Sequence, residues 1–288
     1  MPKYPLDAAT RYCAVLGHPI RHSASPAMQN AGIAELKLNW LYLACDVDPK
    51  NLLAAISGAK HLGFIGLNLT VPHKLLAVKM VDELDASAKT WGAVNTIQFI
   101  TRGKKTIAIG HNTDADAITR ALHEDLGVKL RDAKILLLGA GGAGRTAALK
   151  LASERVAELF LVNRTKSKAI AVAREIRRRF PRVKISVSYP AGKVDLLLNA
   201  TSLGLKTSDA SPLDEKQFPL RNARAVFDMI YRPAETKLLR AAHRAGCKTA
   251  NGLGMLLYQG AAALEIWSGQ SAPISVMRHA LEKEVYGH

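Results

Sequence analysis

The sequence predicts an α/β protein of two lobes, and three observations carry that prediction. Strand-like and helix-like stretches alternate through roughly the first hundred residues, which implies a mostly parallel sheet with helices on its faces. A continuous apolar strand, Lys134 to Leu138, runs straight into a glycine loop and an alanine-rich helix that continues through Ser153. A chain of 288 residues, 48% of them apolar, is also long enough to build two compact cores.

Taken in order, Arg11 to Leu16 is a buried strand, and Pro26 to Leu36 a helix with proline near its start. Trp40 to Cys45 is strand, Pro49 to Ala59 helix and Phe64 to Leu69 strand, with a further helix expected after Pro72. Val94 to Ile100 pairs with Lys105 to Ile109 across the turn at Arg102-Gly103. Asn112-Thr113-Asp114 opens a helix that runs to about Leu126. Beyond the glycine loop, Leu159 to Val162, Ile185 to Val187, Leu196 to Asn199 and Val226 to Met229 supply further buried strands. Two last helices, Gly252 to Trp267 and Ile274 to Val285, close the chain. The lobe boundary is expected near Gly110 to Gly127. Residues 1–111, joined by about 252–288, then form one domain and residues 112–251 the other.

Bulk properties narrow the function. The apolar runs are far shorter than the roughly 20 residues a bilayer helix needs. Met1 to Thr10 contains no long apolar stretch, which argues against a secretory signal. Cys13, Cys45 and Cys247 lie far apart and form no CxxC pair, so neither a disulfide framework nor a zinc site is expected. A reduced, cytoplasmic, metal-free protein follows. The net charge of +16 fits nucleic acid, an acidic membrane surface, or an anionic substrate and cofactor. Its densest stretch, Arg174 to Lys184, contains three consecutive arginines that point in different directions around a helix, and only Phe180 is interleaved. That pattern fits a solvated helix end better than a base-stacking platform, so no nucleic-acid or membrane partner is expected.

Gly139-Ala140-Gly141-Gly142-Ala143-Gly144 fits G-x-G-x-x-G in the right context: strand before, helix after, a second strand about twenty residues on. The first glycine permits the tight turn, the second lets a pyrophosphate approach the backbone, and the third lets helix and strand pack closely. The helix N-terminus offers free N–H groups to the phosphates. At the end of the second strand, where a carboxylate would hold the ribose of NAD, stand Asn163-Arg164-Thr165, with Lys166 and Lys168 beyond. A guanidinium can grip a 2′-phosphate that a carboxylate would repel, so NADP is the expected cofactor.

Several further motifs run in register along the chain: Gly17-His18-Pro19-Ile20-Arg21-His22-Ser23-Ala24-Ser25-Pro26, Gly66-Leu67-Asn68-Leu69-Thr70-Val71-Pro72-His73-Lys74, Gly92-Ala93-Val94-Asn95-Thr96, and Gly110-His111-Asn112-Thr113-Asp114. Later come Asn199-Ala200-Thr201-Ser202-Leu203-Gly204, Asp228-Met229-Ile230-Tyr231-Arg232-Pro233, and Gly252-Leu253-Gly254-Met255-Leu256-Leu257-Tyr258-Gln259. With these motifs the chain resembles the shikimate/quinate dehydrogenase family from about Arg11 to Gly269. The resemblance implies an N-terminal α/β substrate domain, a Rossmann-type NADP-binding domain, and C-terminal helices that pack back on the first lobe, with the active site in the cleft. It implies NADP-dependent, reversible reduction of 3-dehydroshikimate to shikimate by hydride transfer.

The same resemblance assigns the residues. Lys74 and Asp114 form the catalytic pair that handles the proton. Ser23 and Ser25 bind the carboxylate, while Thr70, Asn95 and Gln259 bind the ring hydroxyls or carboxylate, with Asn68 and Tyr231 as further candidates. Gly139, Gly141, Gly142, Ala143, Gly144, Asn163, Arg164, Thr165, Lys168 and Thr201 face the dinucleotide, and Met229, Gly252 and Met255 flank the nicotinamide. On residue chemistry alone, Ser-x-Ser before proline also fits a helix cap, Pro-His-Lys an exposed helix start, and Asp114 a first-turn aspartate favoured by the helix dipole. His73 is read as a surface neighbour of Lys74. The chain departs from the family at Gln29, where histidine is frequent, and at Ala115-Asp116-Ala117, where glycine is usual. These bear on substrate choice. The rivals are a quinate or dual-substrate enzyme using NAD or NADP, and an NADP-sensing regulator without turnover; a monomer or homodimer is expected.

Overall fold

The computed structural model describes residues 6–287. The ends of the expected first domain, residues 1–5 and 288, lie outside the described residues, as does the start of the Met1 to Thr10 segment. The described chain divides into two compact units. One runs up to Asp114 and resumes at Leu256; the other is Ala115–Met255.

The first unit is built on a six-stranded sheet in the order β2-β1-β3-β5-β6-β4. Its strands are β1 (Arg11–Gly17), β2 (Trp40–Asp46), β3 (Gly66–Leu69), β4 (Glu83–Leu84), β5 (Thr96–Arg102) and β6 (Lys105–His111). β1 runs parallel to β2 and β3, as crossovers through α1 (Ser25–Glu35) and α2 (Leu52–His61) require. The sheet is mixed, because β5 is antiparallel to both β3 and β6. Ala14, Leu16, Leu67, Leu69, Val94 and Ile97 form its core with Leu52 and Ile56 of α2. Each larger apolar side chain among them contributes about 1.5–3 kcal/mol by leaving water.

The expected helix after Pro72 does not form; only a 3₁₀ turn, Leu76–Lys79, appears there. The Lys74 carbonyl accepts from the Val94 N–H (2.9 Å), which takes it out of any helical ladder. β4 and α3 (Ala86–Trp91) follow, both unforeseen. Of the C-terminal helices, α8 (Leu253–Ser268) and α9 (Ile274–Tyr286), the part from Leu256 belongs to this unit. α9 packs on α1, where Gly32 leaves room for Leu264 and Met277. The Trp267 indole donates to the Ile97 carbonyl (3.0 Å), and Gln98 donates to that of Ile266 (2.7 Å).

The second unit is a wholly parallel six-stranded sheet, ordered β12-β11-β10-β7-β8-β9. Its strands are β7 (Lys134–Leu138), β8 (Glu158–Val162), β9 (Lys184–Ser186), β10 (Val194–Asn199), β11 (Ala223–Asp228) and β12 (Lys248–Asn251). α4 (Asp114–Leu126), α5 (Gly142–Ser153), α6 (Lys166–Arg179) and α7 (Lys237–Arg244) complete the unit; α7 and β12 were unforeseen. Numbered within the unit, the strand order is 3-2-1-4-5-6, read from the β9 edge, the doubly wound dinucleotide-binding arrangement. Ile135 to Leu138 and Leu196 to Leu198 are buried on both faces, as central strands of a parallel sheet must be. Order reverses between β7 and β10, and ligands of such sheets bind at the carboxyl ends there. No helix of the described residues is long and apolar enough to cross a membrane.

Candidate active site

In the first unit, the loops leaving β3, β6 and the turn before β5 converge on one polar cluster. Asn95 stands just ahead of β5, pinned by its N–H to the His111 carbonyl (3.0 Å) and its carbonyl to the Leu69 N–H (2.8 Å). Asp114 follows the end of β6 and opens α4. Lys74 comes four residues after the turn at Thr70, where the His73 N–H closes on the Thr70 carbonyl (2.8 Å). These backbone ties bring together two residues forty apart in sequence. The Lys74 ammonium donates to Asp114 Oδ2 at 2.7 Å. Asp114 is 11% exposed at its side chain and Lys74 31%, so the amine still reaches solvent-accessible space.

The second carboxylate oxygen is occupied as well. Asp114 Oδ1 accepts from Asn95 Nδ2 (3.0 Å), which also donates to Thr113 Oγ1 (2.9 Å) and reaches Gln259 Oε1 at 3.5 Å. Asn95 Oδ1 accepts the Thr113 N–H (2.8 Å), and Thr113 Oγ1 donates to the Gln259 carbonyl (3.0 Å). Asn68 sits behind this row with its amide engaged at both ends. Its Oδ1 accepts from the Tyr42 hydroxyl (2.7 Å), and its Nδ2 donates to Thr96 Oγ1 (3.0 Å). A buried network with each member satisfied fixes rotamers firmly. The arrangement holds an ammonium against a carboxylate with protons to spare, which suits proton exchange with an alcohol or carbonyl oxygen.

Ser23 lies on the loop between β1 and α1, and Ser25 is the first residue of α1. The Ser25 N–H donates to Ser23 Oγ (3.3 Å), while the cap position of α1 falls to Ala24 with no side-chain hydrogen bond. Neither serine therefore caps that helix. Thr70 packs its methyl against Gly17, where any Cβ would collide with it. His73 is not a surface residue: it is wholly buried, with neither ring nitrogen in a hydrogen bond of good geometry. Burial pulls its imidazole below the ordinary histidine range, against the opposing pull of the Val47 backbone, so the neutral form is favoured.

In the second unit the backbone itself shapes the candidate site. Gly139 has φ +107, a left-handed conformation that strains any other residue, and a Cβ there would meet the Ala200 carbonyl and Thr201. The loops after β7 and β10 thus touch at the order reversal. A Cβ at Gly144 would strike the Gly139 carbonyl, whereas Gly141 and Gly142 face open space. This is the shape a dinucleotide pyrophosphate needs: close packing beneath, bare backbone above. Asn163 ties in the next loop, its Oδ1 accepting the Ala140 N–H (2.9 Å) and its Nδ2 donating to the Thr165 carbonyl (2.8 Å). Arg164 and Lys168 are exposed.

Behind the β10 and β11 ends, Asp228 is wholly buried and accepts from Asn199 (2.9 Å), the Ile230 N–H (3.1 Å) and Thr236 (2.7 Å). Burial raises its carboxyl above the ordinary range, against the pull of those three donors. Asn199 Oδ1 in turn holds the Thr201 N–H (3.0 Å) and hydroxyl (2.8 Å). Gly252 abuts the Met229 carbonyl too closely for a side chain. Met229, Tyr231 and Met255 are all part-buried in this unit.

The chain matches three family models. Residues 15–97 match the shikimate dehydrogenase substrate binding domain, residues 121–228 shikimate / quinate 5-dehydrogenase, and residues 252–282 the shikimate 5′-dehydrogenase C-terminal domain. A shikimate dehydrogenase (NADP(+)) of Methanocaldococcus jannaschii is 42% identical over 283 residues, 96% of this chain and 98% of its own. The chain belongs to the shikimate dehydrogenase family. A crystal structure of a shikimate dehydrogenase in complex with NADP+ superposes with a TM-score of 0.87 at 39% identity, covering 98% of each chain. That of the Thermus thermophilus enzyme, in complex with NADP(H) and shikimate, gives 0.84 at 36% identity, covering 95% of this chain and 99% of its own.

Against that family background, the two departures become structural. Gln29 is wholly buried and donates to the Gly260 carbonyl (2.8 Å), tying α1 to α8. Ala115 and Ala117 are buried in α4, and Asp116 turns outward to pair with Lys150 (2.7 Å). Sequence reasoning gave no role to Thr113, Thr96, Tyr42 or the Asn199–Asp228–Thr236 set. One signal was there to be used: the Asn-Thr pair recurs at Asn95-Thr96 and Asn112-Thr113, on neighbouring strand ends.

Proposed function

We propose that this chain catalyses the reversible, NADP-dependent reduction of 3-dehydroshikimate to shikimate. The single observation that carries the reading is the Lys74–Asp114 pair at 2.7 Å, locked by Asn95 and Thr113 in a chain of this family. Lys74 delivers a proton to the ketone oxygen during reduction and takes it back during oxidation. Asp114 holds the ammonium in place and is itself held by Asn95. NADPH, when bound, supplies the hydride.

In this reading Ala115–Met255 is the cofactor domain and the remaining chain the substrate domain. Gly139, Gly141, Gly142, Ala143 and Gly144 cradle the pyrophosphate; Asn163, Arg164, Thr165 and Lys168 take the adenosine 2′-phosphate; Thr201, Met229, Gly252 and Met255 border the nicotinamide. Ser23 and Ser25 hold the substrate carboxylate, and Thr70, Asn95 and Gln259 its hydroxyls, with Asn68 bracing Asn95 from behind. The enzyme works in the cytoplasm on small molecules, as a monomer or homodimer, without nucleic acid or membrane.

Reduced-nicotinamide absorbance, with NADP and NAD crossed against shikimate and quinate, tests this. Turnover confined to shikimate with NADP supports the reading. Equal or faster turnover with quinate or NAD moves the chain to the dual-substrate class, and no turnover with NADP bound favours a sensor.

A further inference from the structure

The net charge of +16 is not used up by one dinucleotide and one carboxylate. Several of its cations stand at the amino-terminal rim of the second unit's sheet, the edge opposite the glycine loop. A hollow of about 340 Å³ opens there between the segment joining α4 to β7 and the first residues of β10, β11 and β12. Lys129, Arg131, Arg224 and Lys248 line it, against the carboxylates of Asp132 and Asp195. Asp195 is already engaged, accepting the Lys134 N–H at 2.9 Å. All four cations are exposed, and none has an ion-pair partner among the described residues. A second hollow of about 430 Å³ adjoins it through Arg131 and Asp132 and adds Arg155 and Arg182.

Helix dipoles do not account for these side chains. In a parallel doubly wound sheet the helices end at this rim, and cations in their last turns are stabilised there. That explains Arg177 to Arg179 on α6 and Arg244 on α7. Lys129 and Arg131 instead lie on the loop before β7, and Arg224 and Lys248 lie on strands β11 and β12. Ala225 pairs with Lys248 and the β10–β11 register sets Asp195 opposite Arg224, so Arg224 and Lys248 leave opposite faces of the sheet at this rim. The four cations outnumber the two carboxylates, Asp132 and Asp195, around one concave wall, and a multivalent anion offsets that excess. Guanidinium groups grip phosphate oxygens in pairs. The volume is that of a small-molecule site.

We propose that this rim hollow is a second anion site, selective for a small polyphosphate and separate from the dinucleotide site. The proposal does not depend on the catalytic assignment. Its test is calorimetric titration of the NADP-saturated protein with inorganic tripolyphosphate at fixed ionic strength, which holds charge screening constant. Three proteins are compared: the parent, an R131A/R224A/K248A variant, and an R174A/R178A/K216A variant that loses the same number of charges elsewhere. One tripolyphosphate should bind per chain, weakened at least about tenfold in the rim variant and unchanged in the other. Equal weakening in both variants would show charge without a site. Binding that survives in the rim variant but is competed by NADP would place the anion at the glycine loop. Either result overturns the proposal, as does tight, steeply salt-dependent binding of an oligonucleotide with none of tripolyphosphate.

Discussion

The polar cluster of the first unit and the glycine loop of the second are built by opposite means. Around Lys74 the structure is made by side chains, each fixed by another: Asp114 by Asn95, Asn95 by Thr113, Thr113 by the Gln259 carbonyl. Around Gly139 it is made by the lack of side chains, with bare backbone at Gly141 and Gly142 and close packing at Gly144. One region is damaged by removing atoms and the other by adding them. Turnover and cofactor binding should therefore respond to different kinds of substitution.

The largest effect is expected at the amine itself. Lys74→Ala should lower kcat about 10³-fold, the range general acid–base groups supply, with the fold intact by circular dichroism. Asn95→Ala sharpens the point. It removes the donor from Asp114 Oδ1 and should lower kcat less than Lys74→Ala does, while Asn95→Asp, which sets a carboxylate beside Asp114, should be worse than alanine.

Adding atoms tests the other region. Gly144→Ala pushes a methyl into the Gly139 carbonyl and should cost about 1–3 kcal/mol of stability by chemical denaturation, with weaker NADP binding. Arg164→Ala should leave stability unchanged but weaken NADP roughly 10–100-fold while sparing NAD, the loss of one charged hydrogen-bonding partner. If NADP and NAD weaken alike, Arg164 does not read the 2′-phosphate.

How far each region could be read from sequence follows the same division. The β7–loop–α5 unit was legible because a local pattern encodes it: an apolar strand, spaced glycines and a helix in unbroken order. The Lys74–Asp114 contact has no local signature, since an exposed lysine and a first-turn aspartate look alike whether or not they meet; only the resemblance joined them. β4, α3, α7 and β12 were missed because each is short, from two to eight residues, and held mainly by neighbours. The helix after Pro72 failed because Val94 claims the Lys74 carbonyl, a tertiary event that no window of sequence shows.

His73 was misread for the same reason, and it yields the smallest of the expected effects. Its ring is buried without a hydrogen bond of good geometry, and burial depresses its folded-state pKa below the ordinary 6.5 against the pull of the Val47 backbone. A depressed base contributes stability that is present above the unfolded value and lost as pH falls through the folded one. The melting temperature of the parent should therefore drop between about pH 7.5 and 5, and drop less in His73→Phe. Parallel pH profiles would remove His73 from the account.

One comparison tests the division of labour most directly: NADPH affinity by fluorescence titration of Lys74→Ala, set beside its turnover of shikimate. With the chemistry at the Lys74–Asp114 pair, the Kd should stay within about twofold of the parent while turnover falls about 10³-fold. Turnover that persists, or affinity that collapses together with it, would contradict the assignment of the chemistry to the Lys74–Asp114 pair.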